Sequence, residues 1–359
     1  IRMSSSFGTI VKVSVFGQSH SEAIGAVVDG LPSGEAIDME RVHAFMRRRA
    51  PGNAAHATKR REPDEPKVLS GFVDGKTCGA PLLALIVNTD QRSGDYDALK
   101  NLPRPGHADF TARVKYGDSV DLRGGGHFSG RLTAPICFAG AVAKQILERR
   151  GIVVRARIYE IGGILDAFEG DLAAVEAKEF PVFDDRAGVM MREAVERARL
   201  DGDSVGGVVE CVAEGLPAGL GEPMMDSVES TLARLMFSIP AVRGVEFGAG
   251  FAAARMRGST HNDAFVVENG RILTGSNRHA GVLGGITTGM PVVFRVAFKP
   301  TSSIAKPQRT VNLAEMREET LSVGGRHDPC VVPRAVPVVE AMAALALIDL
   351  YMIRSGQKI

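Results

Sequence analysis

The chain has 359 residues, 45% of them hydrophobic and 24% charged, with 43 Lys and Arg against 42 Asp and Glu. That length buries a core without cross-links, the cysteines Cys78, Cys137, Cys211 and Cys330 form no CxxC pair, and a net charge of +1 argues against bulk nucleic-acid binding. No apolar run reaches 18 residues without a charge, and the opening IRMSSSFGTIVKVSVFG has neither an apolar signal core nor transit-peptide character, so a reduced, cytoplasmic protein with no membrane partner is expected.

The first element, IVKVSVF (10–16), alternates as a strand, and IGAVVDG (24–30) is a second that ends in the turn signal GLPSG. DMERVHAFMRRR (38–49) has helical spacing at Met39, Val42, Phe45 and Met46 behind a cap at Asp38. LLALIVN (82–88) predicts a short buried strand. TAPICFAGAVAKQILERRG (133–151) predicts a helix with Thr133 at its cap and Pro135 in its first turn. IVVRARIYEI (152–161) returns as a strand, RAGVMMREAVERARLDG (186–202) as a helix and GGVVECVAEG (206–215) as a strand. DSVESTLARLMFSI (226–239) opens on a capping box of Asp226 and Glu229. FVVENGRILT (265–274) is a hairpin on an Asn-Gly turn, PVVFRVAF (291–298) a strand, and RAVPVVEAMAALALIDLYMIR (334–354) a long closing helix.

Strands and helices interleave without strict βαβ order, and no low-complexity linker divides the chain. One α/β domain with long functional loops is expected over residues 3–359. IGAVVDGLPSG (24–34) resembles VECVAEGLPAG (209–219), which marks either a duplicated half or a chance match.

Basic residues gather in loops rich in Gly, Pro and Ser. They include RRRAPG (47–52), RPGHADF (104–110), RGGGHFSGR (123–131), RMRGSTHND (255–263), GSNRHAG (275–281), KPTSSIAKPQR (299–309) and GGRHDPC (324–330). Five of the chain's eight histidines, His107, His127, His261, His279 and His327, fall inside these segments. Loops carry function on a rigid scaffold. Triple glycine is costly to order, so something should approach the backbone of 124–126 closely. Two flanking arginines suggest an anion, with His127 or Ser129 near the chemistry.

Other motifs fail. GAGFAA (248–253) matches a dinucleotide pattern, but the following helix breaks at Gly258, too soon to hold a pyrophosphate. GQSHS (17–21) has Ser21 where a nucleophile elbow needs glycine. HDPC (327–330) lacks a second ligand pair, so no metal is expected.

Taken in order, FGQSHS, RPGHADF, RGGGHFSGR, KPTSS and GRHDPC resemble chorismate synthases, over a stretch from Phe7 to about Asp349. The resemblance implies a β-α-β sandwich, a homotetramer, the substrate 5-enolpyruvylshikimate 3-phosphate and reduced FMN. The reaction expels the 3-phosphate and removes the C6 hydrogen from the opposite face, to give chorismate without net oxidation. By the same resemblance, His20 protonates the leaving phosphate, His107 serves the reduced flavin, and Asp328 handles the N5 proton with Ser19 as relay. Arg48, Arg49, Arg104 and Arg131 are the candidates for the substrate's anionic groups. Flavin contacts carry over to His127, Phe128, Ser129, His261, Asn262, Gly284, Lys299, Pro300, Thr301, Ser302, Ser303 and Arg326.

The chain departs from the family at His127-Phe128, where Arg-Ser is common, at Ser21, and at Ala55 with its neighbour His56. The last weakens any second nucleotide site. Some relatives reduce the flavin themselves with NADPH; lacking a credible dinucleotide fold, this chain is expected to use an outside reductant. An RNA-binding module has 6% aromatic content and no tryptophan against it. A flavin or nicotinamide oxidoreductase would instead show net substrate oxidation.

Overall fold

The computed structural model describes residues 5–50, 64–89, 101–324 and 328–357. Two five-stranded sheets enclose a layer of helices. The first sheet takes its strands in the order Ser6–Phe7, Lys12–Phe16, Ala23–Asp29, Leu82–Val87, Lys67–Ser70. The second runs Val242–Phe247, Val292–Phe298, Gly207–Glu214, Val153–Ile161, Ile164–Leu165. All pairings are antiparallel.

Alternation gives each sheet one apolar face. Val13, Ile24, Ala26, Val28, Leu82, Ala84 and Ile86 are buried in the first sheet, and Val154, Ala156, Ile158, Val209, Cys211, Phe294 and Val296 in the second. Between them lie the helices Met39–Arg49, Thr133–Glu148, Val228–Met236 and Val332–Gln357. The closing helix contains a window of mean hydropathy 1.9, as apolar as a membrane span, yet 83% of that window is buried inside the fold. A helix apolar all round suits a core enclosed from every side. It crosses Thr133–Glu148 closely, since a Cβ on Gly140 would fall 2.3 Å from Ala341 Cα.

The GLPSG and GLPAG likeness marks a real duplication. Read from one edge, strands 67–70, 82–87, 23–29 and 12–16 pair in the same sequence as 242–247, 292–298, 207–214 and 153–161. Gly30 (φ 78°) and Gly215 (φ 74°) end corresponding strands. A Cβ on either would fall 1.9 Å from a backbone carbonyl, that of Ile10 or of Gly151. Thr77 Oγ1 donates to Pro32 O (2.5 Å) and accepts from Glu35 N (2.9 Å). Thr287 Oγ1 does the same with Pro217 O (2.7 Å) and Leu220 N (2.9 Å). The two halves place their last helices, Thr133–Glu148 and Val332–Gln357, side by side at the centre.

Most expected elements form within a few residues of their predicted ends. Asp38 caps its helix, accepting from Glu40 N and Arg41 N. Two caps differ. Ser227, not Asp226, accepts from Ser230 N at the helix Val228–Met236, and Thr133 is the first residue of its helix, bonded back to Gly130 O at 2.6 Å. GAGFAA leads into a 3-10 turn, Gly250–Arg255.

Candidate active site

At one end of the sandwich, a cleft of about 730 Å³ opens between the two halves. Its polar lining comes from separated segments: Arg49 at the end of the first helix, Arg104 and His107, the stretch His127–Arg131, Lys299 with Thr301–Ser303, and Asp328 with Arg334. The segment Phe237–Arg243 forms another wall, with Phe237, Ile239 and Val242 supplying apolar surface.

The cations are held rather than loose. Arg49 donates to Asp64 Oδ2 at 2.6 Å, and Arg131 pairs with Asp64 Oδ1 while its Nε donates to Asn88 Oδ1 at 2.9 Å. Burial alone would raise the Asp64 pKa; Arg49 and Arg131 overcome it and hold the carboxyl below its ordinary value. Arg334 pairs with Asp328 and donates from Nε to Arg49 O at 2.9 Å. Burial lowers the Arg334 pKa even beside that carboxylate. Lys299 is likewise lowered, by burial and then by the nearby Arg243, and donates to Ser302 Oγ at 2.5 Å. Among the described residues, Arg49, Arg104, Arg131, Arg243, Lys299 and Arg334 outnumber the carboxylates Asp64, Asp109 and Asp328 that accompany them. A cleft with that excess is suited to a multiply anionic ligand.

Arg104 makes a two-pronged pair with Asp109, Nε to Oδ2 and Nη2 to Oδ1 both at 2.7 Å, and reaches Ser303 Oγ at 3.2 Å. His107 Nδ1 lies 2.7 Å from Asp109 Oδ1. Asp109 opens a helix, Asp109–Tyr116, which the sequence did not announce because the RPGHADF stretch reads as loop.

The glycine turn explains its composition. Gly124, Gly125 and Gly126 have φ of 60°, 93° and 56°, all left-handed. A Cβ on Gly124 would fall 2.3 Å from His20 Cε1 and 2.6 Å from Ser19 Oγ; one on Gly125 would fall 3.3 Å from His107 Nε2. His20 and Ser19 are therefore buried directly behind the cleft wall rather than within its lining. His127 lines the cleft but is tied on both sides, Nδ1 to Gly17 O and Nε2 to Ser5 Oγ, each at 2.7 Å. Phe128 leans on Tyr116, and Ser129 Oγ accepts from Arg131 N at 3.2 Å.

Several expected residues do not join this group. Arg48 lies outside the lining and grips the buried Glu340 with Nη2 at 2.6 Å and Nη1 at 3.0 Å. His261 packs its ring on His279, whose backbone and side chain bind Asp263, and Asn262 follows in the same loop brace. Gly284 (φ 61°) forms the turn of a two-stranded hairpin, Val282–Leu283 with Ile286–Thr287. Pro300 is not part of the lining, although its neighbours are. Arg326 and His327 lie outside the described residues, as do Ala55 and His56. Cys330 is buried, which pushes its thiol up to about 12, the behaviour of a core residue.

The sequence reading missed Asp64, Phe237–Arg243 and Arg334, which belong to no dense motif. It also passed over Asp109, whose signal was the His-x-Asp spacing inside RPGHADF.

Fold and cleft together define an α/β protein whose cation-rich cleft is lined by His107 and His127. The chorismate synthase family model matches residues 11–352. A chorismate synthase of Korarchaeum cryptofilum is 50% identical over 346 residues, 96% of each chain, and one of Thermococcus gammatolerans is 51% identical over 348 residues, 95% of this chain and 96% of that one. A solved structure titled as the crystal structure of chorismate synthase superposes with a TM-score of 0.76 at 27% identity, covering 98% of this chain and 94% of the other. The chain belongs to the chorismate synthase family, carbon–oxygen lyases of the shikimate pathway.

Proposed function

We propose that this cleft binds 5-enolpyruvylshikimate 3-phosphate together with reduced FMN and carries out the 1,4-elimination that yields chorismate and phosphate. The observation behind it is the convergence of Arg49, Arg104, His107, Arg131, Lys299 and Asp328 on one cavity. Among the described residues, Ser19 Oγ, Arg49 Nε and Thr301 Oγ1 are buried without a hydrogen-bond partner. Buried polar atoms of that kind call for a partner, and Arg49 and Thr301 line the cavity itself. The donor set fits a phosphorylated flavin and a carboxylate-bearing ring.

On this proposal, Arg49, Arg104 and Arg131, with Arg334, grip the substrate's carboxylates and phosphate. Each charge-assisted hydrogen bond contributes about 1.5–3 kcal/mol, so a few of them fix the ring in place. The C3–O bond breaks toward phosphate, which takes a proton from His20, a ring that lies with Ser19 against Gly124 of the cleft wall. The C6–H bond breaks on the opposite face and its electrons become the new double bond. Reduced FMN, if bound there, would supply transient electron density with no net oxidation of substrate or cofactor. His107 would hold a proton toward a bound flavin, and Asp328, kept in place by Arg334, would be the final acceptor of the proton lost from C6. Lys299, Thr301, Ser302, Ser303 and Ser129 would hold the flavin, with Arg243 adding charge next to Lys299. Arg48 acts as a brace for Glu340 and is left out of the anion set, as are His261, Asn262 and Gly284.

We further propose one catalytic unit over residues 3–359, because both halves share a single helical layer, a homotetramer in solution, a cytoplasmic location, and an outside source of reducing power. The main test is an anaerobic assay with chemically reduced FMN and the substrate, following chorismate and phosphate in equal amounts. Phosphate release without chorismate, or substrate oxidation, would overturn the assignment. Turnover with NADPH and oxidised FMN alone would overturn the outside reductant, and sedimentation tests the tetramer.

A further inference from the structure

His107 Nδ1 has two neighbours that make opposite demands. Asp109 Oδ1 at 2.7 Å can only accept, so it requires a proton on Nδ1; Arg104 Nη2 at 3.1 Å can only donate, so it requires a lone pair there. Both cannot be served at once. The carboxylate is nearer and carries the complementary charge, and charge-assisted bonds are the shorter and stronger ones. Arg104 Nη2 loses nothing by this, because it already donates to Asp109 Oδ1 at 2.7 Å. Burial would raise the Asp109 pKa, but the hydrogen bonds from Arg104 and His107 overcome it and keep the carboxyl well below the usual range.

On the other side of the ring, Nε2 lies beside Gly125 with no hydrogen-bond partner among the described residues, and the side chain remains 19% exposed toward the cleft. The other titratable groups nearby are Lys299, whose Nζ lies close to Gly106, and His20 across the glycine turn. Neither contests Nδ1.

We propose that Asp109 is the positioning residue for His107: it holds the proton on Nδ1, fixes the plane of the ring, and leaves Nε2 as the nitrogen that exchanges a proton with the ligand in the cleft. The two-residue spacing serves this directly, since Asp109 begins a helix while His107 precedes it, and Arg104 locks the carboxylate from behind in a two-pronged pair. A histidine's working nitrogen is set by the hydrogen bond that the other one makes. This assignment rests on the proposal that His107 acts on the ligand, but its first test does not.

That test is the nitrogen NMR spectrum of histidine-labelled full-length chain, with His107→Gln used to assign the signal. The expected neutral form carries its proton on Nδ1; a proton on Nε2, with Nδ1 accepting from Arg104, would overturn the proposal. The second test is kinetic. Asp109→Asn should lower kcat by about 10-fold or more, on the scale of impaired proton transfer, while KM for the substrate changes by less than about threefold. Introduced into His107→Gln, the same substitution should cause no further loss, because residues acting as a unit are not additive. An equal additional loss in that background would overturn the proposal. Unchanged turnover in His107→Gln alone would instead remove His107 from the mechanism and leave the tautomer result standing. Should Asp109→Asn fail to fold after leaving Arg104 unpaired, the spectrum of the unsubstituted chain decides.

Discussion

His20 and His107 rest against neighbouring residues of one glycine turn, His20 against Gly124 and His107 against Gly125. The turn is therefore a spacer that lets two rings from distant segments approach a single backbone. Its glycines make room for the histidines, a close approach of the kind that the triple glycine led us to expect. Gly124→Ala should place a methyl group inside the His20 ring and cost turnover about 10-fold or more. Gly75→Ala separates the causes: its φ of 73° imposes the same left-handed strain, roughly 1–2 kcal/mol, but no atom lies within 4 Å of the added carbon. It should lower the melting temperature and leave turnover unchanged. Equal kinetic loss in both variants would refute the spacer role.

Replacing the rings themselves asks a different question. His20→Ala and His107→Ala should each slow turnover by about 10- to 10⁴-fold, the range lost with a general acid or base, with circular dichroism unchanged. Unfolding of either variant would mean that the ring is structural.

Local patterning carried much of the fold. The strands 12–16, 23–29, 82–87, 153–161, 207–214 and 292–298 were visible from alternation and turn residues, because each has one face against the helices. The strand Lys67–Ser70 and the hairpin Gln308–Asn312 with Arg317–Leu321 were not, since their residues are mostly exposed or half-buried and lack an apolar rhythm. The duplication was visible only as GLPSG and GLPAG because turn chemistry persists where side-chain packing diverges. In the site, residues in dense motifs could be found, whereas Asp64 and Arg334 could not. They matter through partners remote in the chain, Arg131 for one and the backbone of Arg49 for the other.

Asp328 and Arg334 are separable by substitution. Asp328→Asn keeps the shape and removes the charge that accepts a proton, so kcat should fall by about 10²-fold while FMN binding in a fluorescence titration is retained. In the structure Arg334 pairs with Asp328. Arg334→Lys loses the fork that spans Asp328 and Arg49 O, and should weaken substrate binding as well as turnover. Loss of binding without any change in kcat for Asp328→Asn would assign that carboxylate to positioning.

Glu340 makes the stability of the fold depend on pH. This carboxylate sits on the closing helix, fully buried, and receives Arg48 from the first helix, Lys144 Nζ from the second central helix at 2.5 Å, and Ala156 N from the second sheet at 3.2 Å. Burial by itself would raise its pKa; Lys144 and Arg48 overcome this and hold it at about 2, below the ordinary 4.5. Because the folded value lies below the unfolded one, the charged group stabilises the fold fully above pH 4.5, and that contribution is lost as the pH falls toward 2. Denaturant midpoints measured from pH 7 to pH 2 should therefore fall most steeply below 4.5. Glu340→Gln should abolish much of that slope while costing about 3–5 kcal/mol at neutral pH, since it strands two cations in the core. An unchanged acid slope in the variant would show that other carboxylates govern the transition. A small loss at neutral pH would show that Arg48 and Lys144 find other partners, and would reopen Arg48 as a residue free to turn toward the cleft.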